Sequence, residues 1–318
     1  SRVPSTKDQI KRDQLNIWTQ GGIENPINSN VLAKIKKSVK DPKIITPDNH
    51  PIMIRTYPSD KPLDERYIVA GVDLSNAIDE DNITIVGVDV QTGETAFAVT
   101  VNNYNLIRFA EFLMDLLIKL PRLTLIPENK SQWTTIIGWL IINLPMKGID
   151  PGRRIYSTVV NESLGSDHDR NVYKSFSSGY PTEAKYNGFI NSFGFMTTGV
   201  SRDNLYVKVL KDATLLSCDS VYDLTLTDEL ADLKTKKGRV DHANGGHDDH
   251  VISWLMANWM LREGRNLNHY GIDPTIVFNK VISQDIKGDP DKLAKLERRK
   301  RLEEEYADFR KLLDEAKS

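Results

Sequence analysis

The chain has 318 residues, of which 39% are hydrophobic and 27% charged, a composition typical of globular proteins. Its 42 Lys and Arg residues nearly balance its 44 Asp and Glu residues, which excludes a uniformly basic nucleic-acid binder but leaves room for a local basic groove. The single cysteine, Cys218, excludes an intrachain disulfide and favours a reducing compartment. Because the sequence shows no apolar run of membrane-spanning length and no signal peptide, we expect a soluble intracellular protein without a membrane partner.

Residues 1–60 are polar and repeatedly interrupted by proline. Since proline breaks regular structure, we interpret this segment as a linker or N-terminal flank with one short helix around residues 31–39. We expect the principal domain over residues 61–265. Residues 266–318 predict a highly charged helical tail, with a long helix over residues 290–316.

Three apolar segments, at residues 67–72, 83–90 and 96–101, predict consecutive β-strands. The first two are joined by a short polar segment and the last two by a turn at Thr92-Gly93. Strands connected by such short turns pair with one another, so they predict an antiparallel meander.

The hydrophobic period then becomes helical, and strands and helices follow in alternation. Helices are predicted over residues 105–120, 132–144 and 248–262, a strand over residues 123–126, and weaker strands near residues 155–160 and 205–209. This order indicates an α/β fold with a mixed sheet, three antiparallel strands and then parallel strands, flanked by helices. A ribonuclease-H-like sheet has this order.

Acidic residues stand where these elements begin or end: Asp73 after the first strand, Glu128 after the fourth, and Asp248 and Asp249 at the start of the late helix. The first and fourth strands are neighbours in a ribonuclease-H-like sheet, and side chains at strand carboxyl ends face the crevice where ligands bind. We therefore expect Asp73 and Glu128 to converge and the helix to bring a third carboxylate to them.

Carboxylates gathered in this way repel one another unless cations bind among them. Oxygen ligands suit Mg²⁺ or Mn²⁺, and two such ions roughly 3.5–4 Å apart can activate water for phosphodiester hydrolysis. Each acid also has a purely structural interpretation, since Asp is common in turns after strands and as a helix N-cap. The topological positions of the acids, taken together, favour metal binding.

Four segments around these acids form a series of motifs. The first is residues 67–73, the second begins at Glu128-Asn129, the third is residues 194–198, and the fourth joins residues 237–242 to the Gly-Gly-His-Asp-Asp sequence at 245–249. The first, second and fourth segments resemble, in order and spacing, the three nuclease motifs of the large terminase subunits of tailed bacteriophages, the fourth segment most specifically. Residues 194–198 resemble a further stretch that this family carries between its second and third motifs.

The resemblance covers about residues 50–262 and includes Asp81, at a downstream acidic position common in that family. It departs from the family pattern at two positions. His250 stands where an apolar residue usually follows the Asp pair, and Lys130 replaces a second Asn. Neither difference removes an expected metal ligand.

The resemblance implies a metal-dependent endonuclease that cuts double-stranded viral DNA at the start and end of genome packaging, in the cytoplasm of the host cell. Asp73, Glu128, and Asp248 or Asp249 would hold two Mg²⁺ or Mn²⁺ ions, with water as the nucleophile. The motif does not rank the two Asp residues, and we favour Asp249 as the direct ligand because Asp248 better fits the helix cap.

The partners that the resemblance implies are double-stranded DNA, a portal protein, a small terminase subunit and a packaging ATPase domain. Large terminase subunits normally carry that ATPase themselves. This sequence contains no G-x-x-x-x-G-K-[ST] phosphate loop, so we interpret it as the nuclease half alone.

Basic residues cluster at positions 234–239, just before the acidic start of the late helix, where they could hold the phosphate groups of a nucleic acid. Although a run of charge is often only a solvated surface, we predict DNA contacts from Lys130, Lys234, Lys236, Lys237 and Arg239.

Two other functions remain compatible with the sequence. A Holliday-junction resolvase would share the fold and the placement of the acids, but would prefer four-way junctions and usually form a stable dimer. A non-catalytic DNA-binding or scaffold module would bind DNA without cutting it.

Overall fold

The computed structural model describes residues 25–47, 49–74, 83–102, 104–162, 174, 186–236, 239–242 and 247–278. The strands are β1 (Lys43–Ile45), β2 (Ile54–Thr56), β3 (Ile68–Asp73), β4 (Ile83–Asp89), β5 (Thr95–Val101), β6 (Leu123–Pro127), β7 (Leu233–Lys236) and β8 (Arg239–His242). The first six strands form one mixed sheet in the order β1-β2-β5-β4-β3-β6, and β7 and β8 form a separate hairpin.

The centre of the sheet is the predicted meander with a parallel strand added to it. β3 pairs antiparallel with β4 and β4 with β5, whereas β6 runs parallel to β3. Val72 is aligned with Pro127, so the carboxyl ends of β3 and β6 lie side by side. This arrangement confirms the α/β fold with the mixed ribonuclease-H-like strand order predicted from the sequence.

Helices surround the sheet, and their starts and ends largely follow the sequence pattern. They are α1 (Ser29–Ser38), α2 (Leu106–Lys119), α3 (Ser131–Met146), α4 (Pro151–Arg154), α5 (Thr158–Glu162), α6 (Gly199–Asn204), α7 (Leu210–Leu216), α8 (Leu224–Asp232) and α9 (Asp249–Glu263). α2 begins where the Asn105 side chain accepts hydrogen bonds from the amides of Ile107 and Arg108. None of the helices within the described ranges is long and apolar enough to cross a membrane.

Two strands from the N-terminal flank extend the sheet. β2 pairs antiparallel with β5, and β1 pairs antiparallel with β2. At the other end of the described chain, the Phe278 amide donates to the Val90 carbonyl at 2.9 Å, and its buried ring packs over Gly93. The charged helix predicted over residues 290–316 lies outside the described residues.

The two weaker strand predictions are wrong. Only single bridges form at Ile155 and Ser157, and helix α5 begins at the next residue. Residues 205–209 form a π-helical turn between α6 and α7. The alternation of Leu205, Val207 and Val209 suggested a strand, but Val207 is 65% exposed while the other two are buried, which is helical rather than alternating burial.

Candidate metal centre

Asp73 and Glu128 lie next to each other at the carboxyl ends of β3 and β6. The sheet ladder continues one residue past β6, since the Glu128 amide donates to the Val72 carbonyl at 2.8 Å. Both residues are buried, at 3% and 4% exposure. The parallel pairing of the two strands therefore brings together the two acids predicted to converge.

The Lys130 side chain bridges the two carboxylates. Its Nζ lies 2.8 Å from Asp73 Oδ1 and 2.7 Å from Glu128 Oε2. Lys130 was predicted to contact DNA, but in this arrangement its ammonium group serves as the counter-ion of the acidic pair. Its side chain keeps 31% exposure, so the pair is reached from solvent past this lysine.

The two carboxyl groups have opposite pKa shifts. Burial raises the pKa of Asp73 well above its usual range, and the adjacent Glu128 raises it further. Burial also acts to raise the pKa of Glu128, but the hydrogen bond with Asp73 and the charge of Lys130 outweigh it and leave the pKa lowered. Burial thus favours the protonated form of Asp73, and Lys130 favours the charged form of Glu128.

Helix α9 packs directly against β3 because Gly71 has no side chain. A Cβ atom at Gly71 would lie 1.8 Å from the Ser253 carbonyl oxygen, far inside contact distance. The Ser253 hydroxyl accepts from the Asp73 amide at 3.0 Å and lies 2.9 Å from the Thr84 hydroxyl. These contacts fix the first turns of α9 beside Asp73.

Asp248, directly before α9, is buried at 9% exposure and bound by two side chains. The Tyr206 hydroxyl donates to its carboxylate, and Arg202 Nη2 lies 3.1 Å from Oδ2. Burial raises the pKa of Tyr206, and the charges of Asp248 and, more weakly, Asp73 raise it further. The charges of Asp248 and Asp73 thus both act on the Tyr206 hydroxyl.

Asp249 is the first residue of α9. Its carbonyl oxygen accepts from the Thr84 hydroxyl at 2.9 Å, and Thr84 is aligned with Asp73 across β3 and β4. Its Oδ2 lies 3.8 Å from His247 Nδ1. The backbone of Asp249 is therefore anchored at the same edge of the sheet as Asp73.

Neither Tyr206 nor Arg202 is recognisable from the sequence as a site residue. Both contact Asp248 across more than 40 positions in the chain. Tyr206 also lies in the π-helical turn whose residues alternate like a strand, and π-helical turns occur frequently at functional sites.

The donor groups suit a hard divalent cation, although the metal site is not assembled. Within the described ranges, no three His, Cys, Asp or Glu side chains are grouped closely enough to hold a metal ion. Asp73 and Glu128 offer carboxylate oxygens in a buried crevice and already hold one cation, the Lys130 ammonium group. Such oxygen ligands fit Mg²⁺ or Mn²⁺.

The basic residues predicted to contact DNA lie partly on the β7–β8 hairpin. Lys234 is half-buried, Arg239 is exposed, and Lys236 is paired with Arg239 in the hairpin register. Arg202 Nη2 lies 4.0 Å from Asp241 Oδ1 of β8, so the hairpin adjoins the residues around Asp248. Lys237 and Asp81 lie outside the described residues.

No protein-family model matches the chain. No curated protein matches it either. Among solved structures it is similar to the large terminase nuclease from thermophilic phage G20c, at 16% identity over 73% of this chain and 97% of that one, with a TM-score of 0.40. It is also similar to the same nuclease with bound magnesium, at 14% identity over 72% of this chain and 95% of that one, with a TM-score of 0.41. The Thermus phage P74-26 large terminase nuclease domain is 14% identical over 74% of this chain and 97% of that one, with a TM-score of 0.41.

Proposed function

We propose that the protein is a metal-dependent endonuclease that cuts double-stranded DNA, and that it acts in viral genome packaging as the nuclease motifs imply. The observation that carries this proposal is the buried pair of Asp73 and Glu128, set against the acidic start of α9. Buried acids are costly to keep charged without a cation, so their retention at adjoining strand ends favours metal binding.

In this proposal Asp73 and Glu128 hold Mg²⁺ or Mn²⁺ at the crevice beyond β3 and β6. The metal, when bound, would activate water and stabilise the leaving oxygen of the phosphodiester. Metal binding would favour the charged form of Asp73, since only the carboxylate form is a metal ligand. Lys130 leaves its place between the carboxylates and becomes available to a phosphate of the DNA.

We assign different roles in the metal centre to Asp248 and Asp249. Tyr206 and Arg202 already bind the Asp248 carboxylate, so we assign Asp248 to orienting the site and Asp249 to direct metal binding. The sequence also favoured Asp249, but on the ground that Asp248 caps the helix; this ground is wrong, because the Asp248 side chain makes no capping hydrogen bond.

Incubation of supercoiled plasmid with Mn²⁺, Mg²⁺ or a chelator tests the proposal. We expect cutting with either metal and none with the chelator. Asp249→Asn nearly eliminates cutting, while Asp248→Asn lowers its rate on the order of 10–100-fold, as the loss of a residue behind a metal ligand does. Asp203→Asn, which changes an exposed acid beside Arg202, serves as the control and leaves the rate unchanged.

The choice of DNA separates the alternatives. Linear duplex cut as readily as a four-way junction supports the terminase-like activity, and a strong junction preference would support a resolvase instead. DNA binding without cutting in any metal would identify a non-catalytic binding module.

A further inference from the structure

Helix α9 begins without a hydrogen bond from the side chain of its own N-cap residue. Asp223 and Asn105 cap α8 and α2 in the usual way, with ψ angles of 126° and 131° and side chains that accept from backbone amides. Asp248 has a ψ of 20° and makes no such bond. An Asp at this position ordinarily turns its carboxylate back onto the helix.

Glu229, from helix α8, caps α9 instead. Its Oε2 accepts from the amides of His250 and Val251 at 2.8 and 3.1 Å. These are the second and third residues of α9, whose amides an N-cap side chain normally binds. Its negative charge also lies at the positive end of the helix dipole. A residue 19 positions earlier therefore performs the role that Asp248 leaves open.

Glu229 is held in place by the side chain of His250. Its Oε1 lies 2.6 Å from His250 Nδ1, and His250 Nε2 lies 2.9 Å from the Thr100 hydroxyl and 3.3 Å from Arg55 Nη2. Because Arg55 can only donate, Nε2 accepts, and the Nδ1 proton is directed at Glu229. This contact explains a hydrophilic His at a position where the resemblance predicts an apolar residue.

We propose that Glu229 is a positioning residue of the metal centre. Because Glu229 caps α9, the Asp248 carboxylate can bind Tyr206 and Arg202 instead of the helix amides. The contact of Asp248 with these two side chains holds the first turn of α9, with Asp249, beside Asp73. The effect on metal binding rests on the proposed function, whereas the release of Asp248 does not.

A double-mutant cycle in metal-free protein tests whether Glu229 keeps Asp248 from capping α9. Thermal unfolding is measured for Glu229→Ala, Tyr206→Phe and the double variant, with Asp228→Ala, an exposed acid on the same helix, as the control. Without Glu229, Asp248 turns back to cap α9, so Tyr206→Phe lowers the melting temperature by less than half as much as it does in the wild type. Glu229→Gln, which keeps the shape and one acceptor oxygen, gives an intermediate result and replaces Ala if that variant does not fold. Additive losses from Glu229 and Tyr206 would overturn the proposal.

Calorimetry with Mn²⁺ alone tests the consequence for the metal centre. Glu229→Ala is expected to weaken Mn²⁺ binding about tenfold, the size of effect that residues behind metal ligands have, and Asp228→Ala to leave it unchanged. In an Asp248→Asn background the effect of Glu229→Ala falls below about twofold. Unchanged Mn²⁺ affinity in Glu229→Ala, beside a wild type that binds Mn²⁺, would overturn the positioning role. A wild type that binds no Mn²⁺ would instead contradict the proposed function, and the unfolding cycle would then decide the capping role separately.

Discussion

Asp73 and Glu128 are neighbours in the same crevice but differ in protonation. Burial favours the protonated form of Asp73, while Lys130 and Asp73 together favour the charged form of Glu128. Asn closely imitates a protonated Asp in shape and in its ability to donate. Gln in place of Glu128, by contrast, removes the charge that pairs with Lys130 at 2.7 Å.

Substitution of the two acids should therefore separate stability from activity. Without metal, Asp73→Asn keeps the wild-type free energy of unfolding, whereas Glu128→Gln lowers it by roughly 1.5–3 kcal/mol, the range for a hydrogen bond to a charged group. Both variants lose metal-dependent cutting of plasmid. Urea unfolding in chelator and the plasmid assay measure the two effects. Cutting by either variant at near the wild-type rate would show that it is not a metal ligand.

Site residues at strand ends can be predicted from the sequence, whereas site residues that contact α9 from distant helices cannot. Asp73 and Glu128 stand at strand ends, so the strand order alone places them together. Tyr206 and Glu229 reach α9 through contacts between helices distant in the chain. Nothing in the local pattern around either residue marks these contacts, because their neighbours have the spacing of ordinary buried helix or strand positions.

Among the elements, the contact between β3 and α9 is the one that determines the geometry of the site. Gly71 allows the helix backbone to approach the strand, and Ser253 joins the two through the Asp73 amide. A larger residue at position 71 must push α9 away from β3. Such a shift would carry Asp248 and Asp249 away from the carboxylate pair.

We expect Gly71→Ala to lower the free energy of unfolding by about 3 kcal/mol, since overpacking against rigid backbone cannot be relieved by rotation of a side chain. Gly138→Ala is the matched control. A Cβ atom at Gly138 meets only Ile190 at 3.7 Å, so Ala in that helix is expected to stabilise the protein by roughly 0.5–1 kcal/mol. Urea unfolding of both variants measures the difference. Equal stability of the two would contradict the close packing of α9 on β3.

The β7–β8 hairpin carries Lys234, Lys236 and Arg239, which were predicted to bind DNA, and Lys237, predicted with them, lies outside the described residues. Replacement of Lys234, Lys236 and Lys237 by Ala should weaken duplex binding and lower the slope of log affinity against log salt by about one unit for each lost phosphate contact. Replacement of Lys34, Lys36 and Lys37, three exposed lysines of α1, is a control that removes the same charge. Salt titrations of duplex binding measure both slopes. An unchanged slope in the hairpin variant would show that these lysines do not contact phosphate groups and only form a solvated surface.

The helices and strands that were predicted correctly are those with a clear hydrophobic pattern in the sequence. The meander, α2, α3 and α9 have continuous apolar runs or strong helical spacing, and each was predicted to within a few residues. Residues 205–209 were misassigned because β-branched and aromatic residues in short runs favour strands locally. In the structure these residues continue a helix, and the buried Tyr206 donates a hydrogen bond to Asp248 at the start of α9.

Across the whole molecule, one buried ionic network joins the N-terminal flank to the core. Arg55 of β2 donates from Nε to Asp223 Oδ2 at 2.8 Å, and the Tyr57 hydroxyl donates to the same oxygen at 2.6 Å. Asp223 also caps α8, the helix that carries Glu229. The proline-rich flank predicted from the sequence is thus attached to the sheet by pairing and charge that no local pattern indicates.

Acid should weaken this network. Burial acts to raise the pKa of Asp223, but the charge of Arg55 and the hydrogen bonds from Arg55 and Tyr57 outweigh it, and the pKa is lowered. A lowered pKa contributes stability that is present above the ordinary Asp value of 3.8 and is lost as the pH falls through the folded value. We expect Asp223→Asn to lower the free energy of unfolding by about 3 kcal/mol at pH 7, because Arg55 loses its partner.

The difference between Asp223→Asn and the wild type should begin to shrink below about pH 4, because Asp223 of the unfolded wild-type chain takes up a proton there while the folded protein keeps this carboxylate charged. Unfolding measured across pH 3–8 gives this difference directly, and Asp228→Asn, an exposed acid on the same helix, is the control. A difference that stays constant down to pH 3 would show that the charge of Asp223 does not stabilise the fold.

The central claim is that the buried pair of Asp73 and Glu128 is a metal centre in which Lys130 takes the place of the ion. Anomalous diffraction from crystals soaked in Mn²⁺ tests it most directly. We expect a Mn²⁺ peak between the two carboxylates, with the Lys130 ammonium group displaced from its ion pairs. Lys130 still bridging Asp73 and Glu128 at saturating Mn²⁺, with no peak between them, would contradict it.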